Sequence, residues 1–264
     1  MLYPRIIPCL LVHEKGLVKT VQFKNGKYVG DPINAVKIFN EKEVDELMVL
    51  DIDATVKHQP PDYSMIAKLA NECNMPLCYG GGITTPEQAF RILNLGVEKI
   101  ALSAAAIARP ELAAEIAAVI GAQSVVIVLD VKKHGFPFRD YEVFTHNGTV
   151  PTRQKPDALI RLFEKIGVGE FVINSIDRDG MMTHYDWELA DRLRQVSAAP
   201  ITFLGGAGSL EDIGELIRRY RIIGCAAGSI FVFKGKYKAV LISYPDRARK
   251  ERLIQENLQP MEII

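Results

Sequence analysis

Short apolar runs alternate with segments of helical spacing along the whole chain. The apolar runs occupy residues 5–12, 46–53, 76–80, 97–103, 124–130, 170–173, 200–204 and 222–227. Helical patterns follow at 32–43, 62–74, from 85, 110–120, from 156, 186–196, from 209 and 245–257, several of them opened by Pro or a capping residue. Eight strands and eight helices in 264 residues, without a linker, predict a single α/β (βα)8 TIM barrel over residues 1–264.

Two short motifs recur 124 residues apart. LDID at 50–53 matches NSID at 174–177, and YGG at 80–82 matches LGG at 204–206. Self-similarity at one fixed offset is typical of an internal repeat. The sequence therefore predicts a two-fold repeat of half-barrels, spanning about residues 1–122 and 123–264.

Composition removes several classes of function. The 32 basic and 32 acidic residues cancel, so no bulk charge favours nucleic acid or an anionic membrane, and no run approaches the ~18 apolar residues of a spanning helix. The cysteines at 9, 73, 78 and 225 form no CxxC pair, which is typical of a reduced, cytoplasmic protein. The five histidines lack metal-ligand spacing, and no dinucleotide fingerprint opens a helix. We expect neither a metal nor a cofactor.

Glycine and other small residues follow four of the predicted strands. In barrels, backbone N–H groups at these positions commonly hold phosphate. The sequence predicts two phosphate sites, one at Gly81, Gly82, Ser103 and Ala104, the other at Gly206, Gly208, Gly228 and Ser229. The alternative is that the glycines only turn the chain.

Carboxylates follow several of the strands. Asp130 ends the fifth apolar run and is the predicted general acid or base, with Lys132 and Lys133 as its local partners. Asp51 after the second strand is a weaker candidate. The sixth strand exits in a polar cluster that includes Asp177, Asp179 and Gly180. These aspartates are either functional or caps of the next helix.

Four charged residues begin strands at the opposite end of the predicted barrel, namely Arg5, Glu46, Lys99 and Glu170. A ring of such charges either closes the core or gates a passage. Two irregular segments complete the chain. Residues 13–31 form either a lid or a solvated hairpin, and 132–152 form an insertion with a hairpin turn at 146–148.

Seven motifs, in order from residue 5 to 233, resemble the cyclase (HisF) subunit of imidazole glycerol phosphate synthase: RIIPCL, LVK, DELMVLDIDA, YGGGI, NSIDRDG, GGAGS and AAGSIFVF. The resemblance implies a barrel that takes ammonia from a glutaminase subunit at its bottom face. That ammonia attacks a two-phosphate ribulosyl substrate, giving imidazole glycerol phosphate and an aminoimidazole carboxamide nucleotide. The resemblance further implies that a tunnel gate is formed by Arg5, Glu46, Lys99 and Glu170. It also implies that substrate is bound by Lys19, Asp51 and Asp177.

The chain departs from the family pattern at the chemistry. The family's catalytic carboxylates end strands one and five; Asp130 matches, but Leu11 replaces the first. Ser103 and Ala104 stand where the family has Asn and Thr.

A second branch of the family is more similar, through CLL in strand one, KYVGDPIN and LISYP. It is associated with surface-polysaccharide synthesis, in which barrel and glutaminase are thought to supply ammonia for an acetamidino sugar while a separate ligase-type enzyme activates the acceptor. Three hypotheses follow: ammonia delivery to a sugar or sugar nucleotide, a histidine-pathway cyclase with a relocated acid, and a non-catalytic subunit that activates its glutaminase.

Overall fold

Eight parallel strands close into a barrel in the computed structural model, which describes residues 3–136 and 139–258. The strands are β1 (Arg5–His13), β2 (Leu47–Asp51), β3 (Leu77–Gly80), β4 (Lys99–Leu102), β5 (Val125–His134), β6 (Glu170–Ser175), β7 (Ile201–Leu204) and β8 (Gly224–Ala227). Each pairs with the next, and β8 returns to β1, where Gly224 is in register with Arg5. The predicted (βα)8 barrel is confirmed.

Helices follow the strands and cover the outside of the barrel. They are α1 (Pro32–Glu41), α2 (Tyr63–Asn71), α3 (Pro86–Leu93), α4 (Glu111–Ile120), α5 (Pro156–Ile166), α6 (Trp187–Val196), α7 (Leu210–Tyr220) and α8 (Arg247–Leu258). Proline at the first position of α1, α3 and α5 sets a helical φ without losing a needed donor. Two short helices, Ala104–Ala108 and Ser229–Val232, were not predicted, because they are too short to show helical periodicity.

Strand alternation divides the buried side chains into two layers. On β1, Ile6 and Leu10 join the larger core between barrel and helices, whereas Ile7 and Cys9 face the barrel interior. Small or apolar side chains fill this interior, and the cluster includes Met48, Cys78, Ala101, Val126, Val128, Val172, Leu204 and Ala226. The barrel is therefore packed, with an apolar middle between two polar ends.

Two hairpins extend the barrel at its carboxyl end. The segment after β1 forms antiparallel strands Gly16–Val21 and Lys24–Gly30, which continue β1. β5 does not end at Asp130 as predicted, because its pairing with Asp140–Thr145 carries it to His134. The predicted turn at 146–148 joins Asp140–Thr145 to Val150–Pro151.

Local hydrogen bonds repeat at the same 124-residue offset as the motifs. Asp62 accepts from the Met65 N–H at 3.0 Å and caps α2, and Asp186 caps α6 in the same way through Leu189 at 3.2 Å. Capping boxes open both α3 and α7, built on Thr85 and on Ser209. Equivalent side chains thus cap equivalent helices in the two halves. The boundary between the half-barrels near residue 122 stays a prediction.

Because the two capping boxes are equivalent, Thr85→Ala and Ser209→Ala should each lower the free energy of unfolding by about 1 kcal/mol. Urea denaturation measures both, with Ser64→Ala, an exposed serine within α2, as the control expected near zero. A loss confined to one of the two capping variants would contradict the structural repeat.

Candidate active site and the barrel floor

A cavity of about 660 Å³ opens at the carboxyl end of the barrel. Most of the predicted site residues line it: Leu11, Lys19, Asp51, Gly81, Gly82, Ser103, Ala104, Asp130, Gly180, Gly206, Gly228 and Ser229. Asp177 and Gly208 are not among its lining residues, and Gly208 borders a separate groove beside α7. The cavity brings residues from both half-barrels to one place.

Asp130 lies deep in this cavity and is held by Asn174. The Asn174 Nδ2 donates to Asp130 Oδ1 at 2.9 Å, and Asn174 Oδ1 has no hydrogen-bond partner among the described residues. Burial raises the pKa of the Asp130 carboxyl to about 7, although the bond from Asn174 opposes the rise. The expected lysine partners lie elsewhere, since Lys132 is over the Phe144 ring. At neutral pH this carboxyl can both take and give a proton.

Leu11 occupies the position in β1 that Asp130 occupies in β5. Leu11 is in register with Leu50 of β2, and Asp130 is in register with Asn174 of β6. Leu50 and Asn174 are 124 residues apart, so they occupy equivalent positions in the two halves. The residues that follow β2 and β6 confirm the match. The Ile52 N–H donates to Val12 O, and the Ile176 N–H donates to Val131 O. The internal symmetry thus places Leu11 at the position equivalent to that of Asp130.

Lys19 comes from the first hairpin and is buried in the cavity wall. Its Nζ donates to Cys9 O, and it lies against Gly228, where an added Cβ would come within 2.4 Å of Nζ. Burial lowers the pKa of Lys19, a shift that the nearby Cys9 and Asp179 oppose. A cation is therefore held at the exit of β8, beside Ser229.

The tip of the first hairpin reaches across the cavity mouth. Asp179 accepts from the Thr20 hydroxyl at 2.6 Å and from the Phe23 N–H at 3.2 Å, and Asp179 O accepts from the Gln22 N–H. Gly180 fits directly beneath, with a positive φ and no room for a Cβ against Thr20 O. The segment 13–31 is thus a hairpin positioned where a lid would close, and its movement stays a prediction.

The other aspartates at the strand exits hold loops. Asp51 accepts from the N–H groups of Asp53 and Ala54, whereas Asp177 accepts from the Lys133 N–H at 2.8 Å. Neither Asp177 nor Asp179 caps α6, because Asp186 does so. The alternative reading of these two residues as helix caps is wrong.

The glycine-rich exits of β3 and β7 are built alike. A Cβ on Gly81 would come within 2.5 Å of Asp51 O, and one on Gly205 within 2.7 Å of Ser175 O, so backbone approaches backbone in both halves. Gly82 and Gly206 adopt positive φ values of +72° and +105°. Gly82 and Gly206 line the cavity, whereas the Gly208 N–H of the predicted second phosphate site donates to Asp212 Oδ2 at 2.8 Å.

Sequence reasoning missed several residues of the site. His146, Asn147 and Phe23 line the cavity, beside Asn174 and Asp179 from the polar exit of β6 that the sequence already indicated. Asn174 carried a signal, since it sits on the inward face of β6 two residues after Val172. His146, Asn147 and Phe23 arrive on hairpin tips, whose position depends on tertiary contacts such as the bond from Asn147 Nδ2 to Ile52 O.

At the opposite end, the four predicted charges form a closed ring. Arg5 binds both Glu46 and Glu170, the latter at 2.7 Å, and Lys99 binds the same two carboxylates at 2.8 and 2.9 Å. The Thr202 hydroxyl adds a further donor to Glu170. Each cation thus bridges two carboxylates, and the ring seals the floor of the barrel.

The ring holds its charges despite burial. The Glu46 and Glu170 side chains are only 3% and 6% exposed, while Arg5 and Lys99 reach the surface at 27% and 20%. Burial alone would raise the pKa of Glu170, but Arg5 and Lys99 outweigh it and lower that pKa. The pKa of Lys99 is raised, because Glu170 and Glu46 outweigh its own burial. The directions for Lys99 and Glu170, and the raised pKa of Arg5, all favour the charged form.

Within residues 3–136 and 139–258, no cluster of three His, Cys, Asp or Glu side chains is placed to hold a metal ion. All four cysteines are free thiols. No helix in these same ranges is long and apolar enough to cross a membrane.

Fold and site together define a (βα)8-barrel protein of the enzyme type, with a buried carboxyl above an apolar interior. The chain belongs to the histidine biosynthesis protein family, whose pattern matches residues 5–238. More closely, it is a HisF-like subunit of the imidazole glycerol phosphate synthase type.

Relatives with long alignments support this assignment. A Leptospira interrogans protein named "Putative imidazole glycerol phosphate synthase subunit HisF" is 54% identical over 96% of this chain and 99% of its own. A Vibrio vulnificus protein with the corresponding name ending in hisF3 is 51% identical over 97% of this chain and 98% of its own. A Pseudomonas aeruginosa protein with the name ending in hisF2 is 50% identical over 93% of this chain and 97% of its own. The imidazole glycerol phosphate synthase subunit HisF of Leifsonia xyli is 40% identical over 81% of this chain and 84% of its own.

The raised pKa of Asp130 predicts a pH-dependent cost to stability. In the unfolded chain this carboxyl ionises near pH 4, but in the folded barrel only near 7, so stability falls as the pH rises through that interval and then levels off. Asp130→Asn should therefore be more stable than the wild type at pH 8 by up to roughly 4 kcal/mol, and nearly equal to it at pH 4.

Urea denaturation from pH 4 to 8 measures this difference. Glu41→Gln, an exposed carboxylate at the end of α1, controls for loss of charge. A stability difference for Asp130→Asn that does not change with pH would show that the carboxyl is not protonated in the folded state.

Proposed function

We propose that this chain receives ammonia from a glutaminase subunit at its bottom face and delivers it through the barrel to the cavity. There the nitrogen serves amidation of an acetamido sugar, used in surface polysaccharide, rather than closure of an imidazole ring. The observation that carries the proposal is the coexistence of an intact four-charge floor with Leu11 opposite Asp130.

The floor supports the first step. Arg5 and Lys99 are the partly exposed members of the ring, so their side chains are the ones that can swing aside, while Glu46 and Glu170 remain fixed. Among residues 3–136 and 139–258, no Cys–His pair is placed to release ammonia from glutamine, and burial raises the pKa of all four cysteine thiols. A partner subunit of the glutaminase class would have to supply it.

The interior supports the second step. Between the ring and Asp130 lie small or apolar side chains, among them Cys9, Cys78, Ala101 and Val172. Such a path disfavours an ammonium ion, whose burial without a partner costs several kcal/mol, and tolerates neutral ammonia. Asp130 and Asn174 are the first polar side chains above Val128 and Val172 on their strands.

The substrate proposed for the cavity carries phosphate. The glycine turns of both halves, together with Lys19 beside Gly228, are arranged to bind oxyanions such as those of a sugar nucleotide. Each cradle has one serine hydroxyl, from Ser103 or Ser229, and Lys19 adds a further donor to the second. Ammonia displaces the acetamido oxygen only after that oxygen has been activated as a leaving group, a step that falls to the separate ligase-type enzyme, so this chain itself requires no cofactor.

The similarity to named relatives supports a branch separate from histidine synthesis. Relatives whose printed names begin with "Putative" are 50 to 54% identical, against 37% and 40% for two named "Imidazole glycerol phosphate synthase subunit HisF". Two alternatives remain: a genuine histidine-pathway cyclase, and a subunit that only activates its glutaminase. Growth of a strain lacking the histidine cyclase, rescued by this chain, would favour the first alternative.

Loss of one carboxylate should abolish cyclisation. Proton transfer by a positioned side chain is typically worth about 10² to 10⁴ in rate, so the wild type given ammonia and the ribulosyl substrate should form little imidazole product. Leu11→Asp should raise that rate, measured by product chromatography, with Leu11→Asn as the control of similar size that cannot transfer a proton. A wild-type rate equal to that of an ordinary cyclase would overturn the proposal.

Removing one member of the ring tests the conduit. Lys99→Ala leaves two buried carboxylates with a single cation and should cost roughly 3 to 5 kcal/mol of stability, while also disturbing transfer from glutamine. Complex formation with the candidate glutaminase and glutamine-dependent product formation are measured beside Lys165→Ala, an exposed control on α5. No complex, or unchanged coupling in a folded Lys99→Ala protein, would contradict the conduit.

A further inference from the structure

The inward polar residues of β5 and β6 occur as a pair. Asp130 of β5 is in register with Asn174 of β6, and the equivalent neighbours in the other half of the barrel are Leu11 and Leu50. One half therefore has two polar side chains where the other half has two leucines. The bond of 2.9 Å from Asn174 Nδ2 to Asp130 Oδ1 indicates that the amide serves the carboxyl.

Asn174 uses only one end of its amide in this arrangement. Its Nδ2 donates to Asp130, whereas its Oδ1 is buried and has no hydrogen-bond partner among the described residues. The residue is only 6% exposed, so bulk water does not reach that oxygen. A buried acceptor without a donor is costly. We therefore expect a second arrangement of the side chain, in which this oxygen is bonded.

Asp130 becomes the missing donor when it takes a proton. Rotation of an asparagine amide by about 180° exchanges its oxygen and its nitrogen at nearly the same positions. After that rotation Asn174 Oδ1 faces Asp130, and the protonated carboxyl donates to it. The ionised carboxyl instead accepts from Nδ2, as in the arrangement of the structure. One amide can thus bond both protonation states of the same carboxyl.

The far side of the amide borders a residue without a side chain. Gly205 follows Leu204, the residue of β7 that is in register with Asn174, and a Cβ on Gly205 would come within 3.2 Å of Asn174 Oδ1. The Ser175 carbonyl oxygen lies within 2.7 Å of the same Cβ position. This oxygen already accepts from the Asp179 N–H, and it is the acceptor that Nδ2 would share after the rotation.

The titratable groups around Asp130 come from three elements: Asp179 after β6, Cys9 of β1, and Lys19 of the first hairpin. Burial raises the pKa of Asp130 to about 7, the bond from Asn174 opposes the rise, and Asp179 adds to it. The Cys9 thiol has a pKa raised to about 11 by burial, and Lys19 Nζ is bonded to Cys9 O. The neighbour of Asp130 on the strand Asp140–Thr145 is apolar. The Asn174 amide contacts Asp130 and none of the other three.

We propose that Asn174 is the positioning residue of Asp130. Its amide rotates when the carboxyl takes or releases a proton, and this rotation keeps Asp130 bonded and in place in both states. A carboxyl held in this way can give and take a proton without moving its own side chain. The inference depends neither on the acceptor of the nitrogen nor on the docking of a glutaminase.

Nuclear magnetic resonance of the full chain tests the rotation directly. The Asp130 carboxyl carbon and the Asn174 side-chain amide are followed from pH 5 to 9, with Asp130→Asn and Asn174→Leu used to identify the signals. Both signals should shift with the same midpoint, near pH 7. The nuclear Overhauser effect between the Asn174 amide protons and the Gly205 α-protons should be stronger at pH 5 than at pH 9, because Nδ2 faces Gly205 only when Asp130 is protonated.

A leucine at position 174 tests what the amide does for the carboxyl. Asn174→Leu copies the residue of the other half, Leu50, and removes the donor to the ionised carboxyl, so the midpoint of Asp130 should rise by about one to two pH units. Asn147→Leu is the matched control. Asn147 lines the same cavity but donates to Ile52 O, so its loss should leave the midpoint of Asp130 at the wild-type value.

Two results in the wild type would overturn the proposal: an Asn174 amide that does not respond when Asp130 titrates, or an Overhauser effect to Gly205 that is the same at both pH values. A midpoint that Asn174→Leu leaves unchanged, or that Asn147→Leu raises equally, would also overturn it. The wild-type spectra decide the question even where Asn174→Leu does not fold. Failure of a glutaminase to bind would contradict the proposed function and leave these signals unaffected.

Discussion

The ion ring at the barrel floor is the interaction on which the rest of the structure depends. Glu46 immediately precedes β2, and Glu170 is the first residue of β6. The two are 124 residues apart, so they occupy equivalent positions in the two half-barrels. Arg5 of β1 and Lys99 of β4 each bridge both carboxylates, which ties the halves together at their base. Burying four charges is costly unless every one is paired, and here every one is.

A ring of this kind does more than close a core. Apolar side chains of similar volume would seal the floor with less desolvation, and replacing buried ion pairs in that way is often neutral or stabilising. The charged version leaves two cations near the surface that can move without unfolding the barrel. The proposed gate rests on this partial exposure of Arg5 and Lys99.

At the upper end the two halves have diverged. The caps of α2 and α6, the capping boxes of α3 and α7, and the glycine turns after β3 and β7 all retain their correspondence. The inward positions that hold Asp130 and Asn174 in one half hold Leu11 and Leu50 in the other. A carboxyl whose pKa is raised to about 7 thus faces an apolar wall. This difference alters the chemistry available at the site more than it alters the fold of the barrel.

The fold was predictable because its signals are local. Each barrel strand is a short apolar run, and proline or an Asp, Ser or Thr cap marks most helix starts. The ring and Asp130 were predictable because their residues stand at the two ends of apolar runs. Once a run is identified as a barrel strand, its entry and exit residues follow from the sequence. The contacts of Asp130, the burial of Lys19 and the arrival of His146 were not, since they depend on hairpins that meet only in the folded chain. The two shortest helices escaped detection for lack of periodicity.

Hydrogen exchange of the chain with and without its candidate glutaminase tests the central claim most directly. The floor is a gate only if the ammonia source docks there. The account predicts slower exchange on adding the glutaminase at amides near Arg5, Glu46, Lys99 and Glu170, with amides of the loops that follow the barrel strands unchanged. Protection confined to those loops, or no protection anywhere, would contradict it.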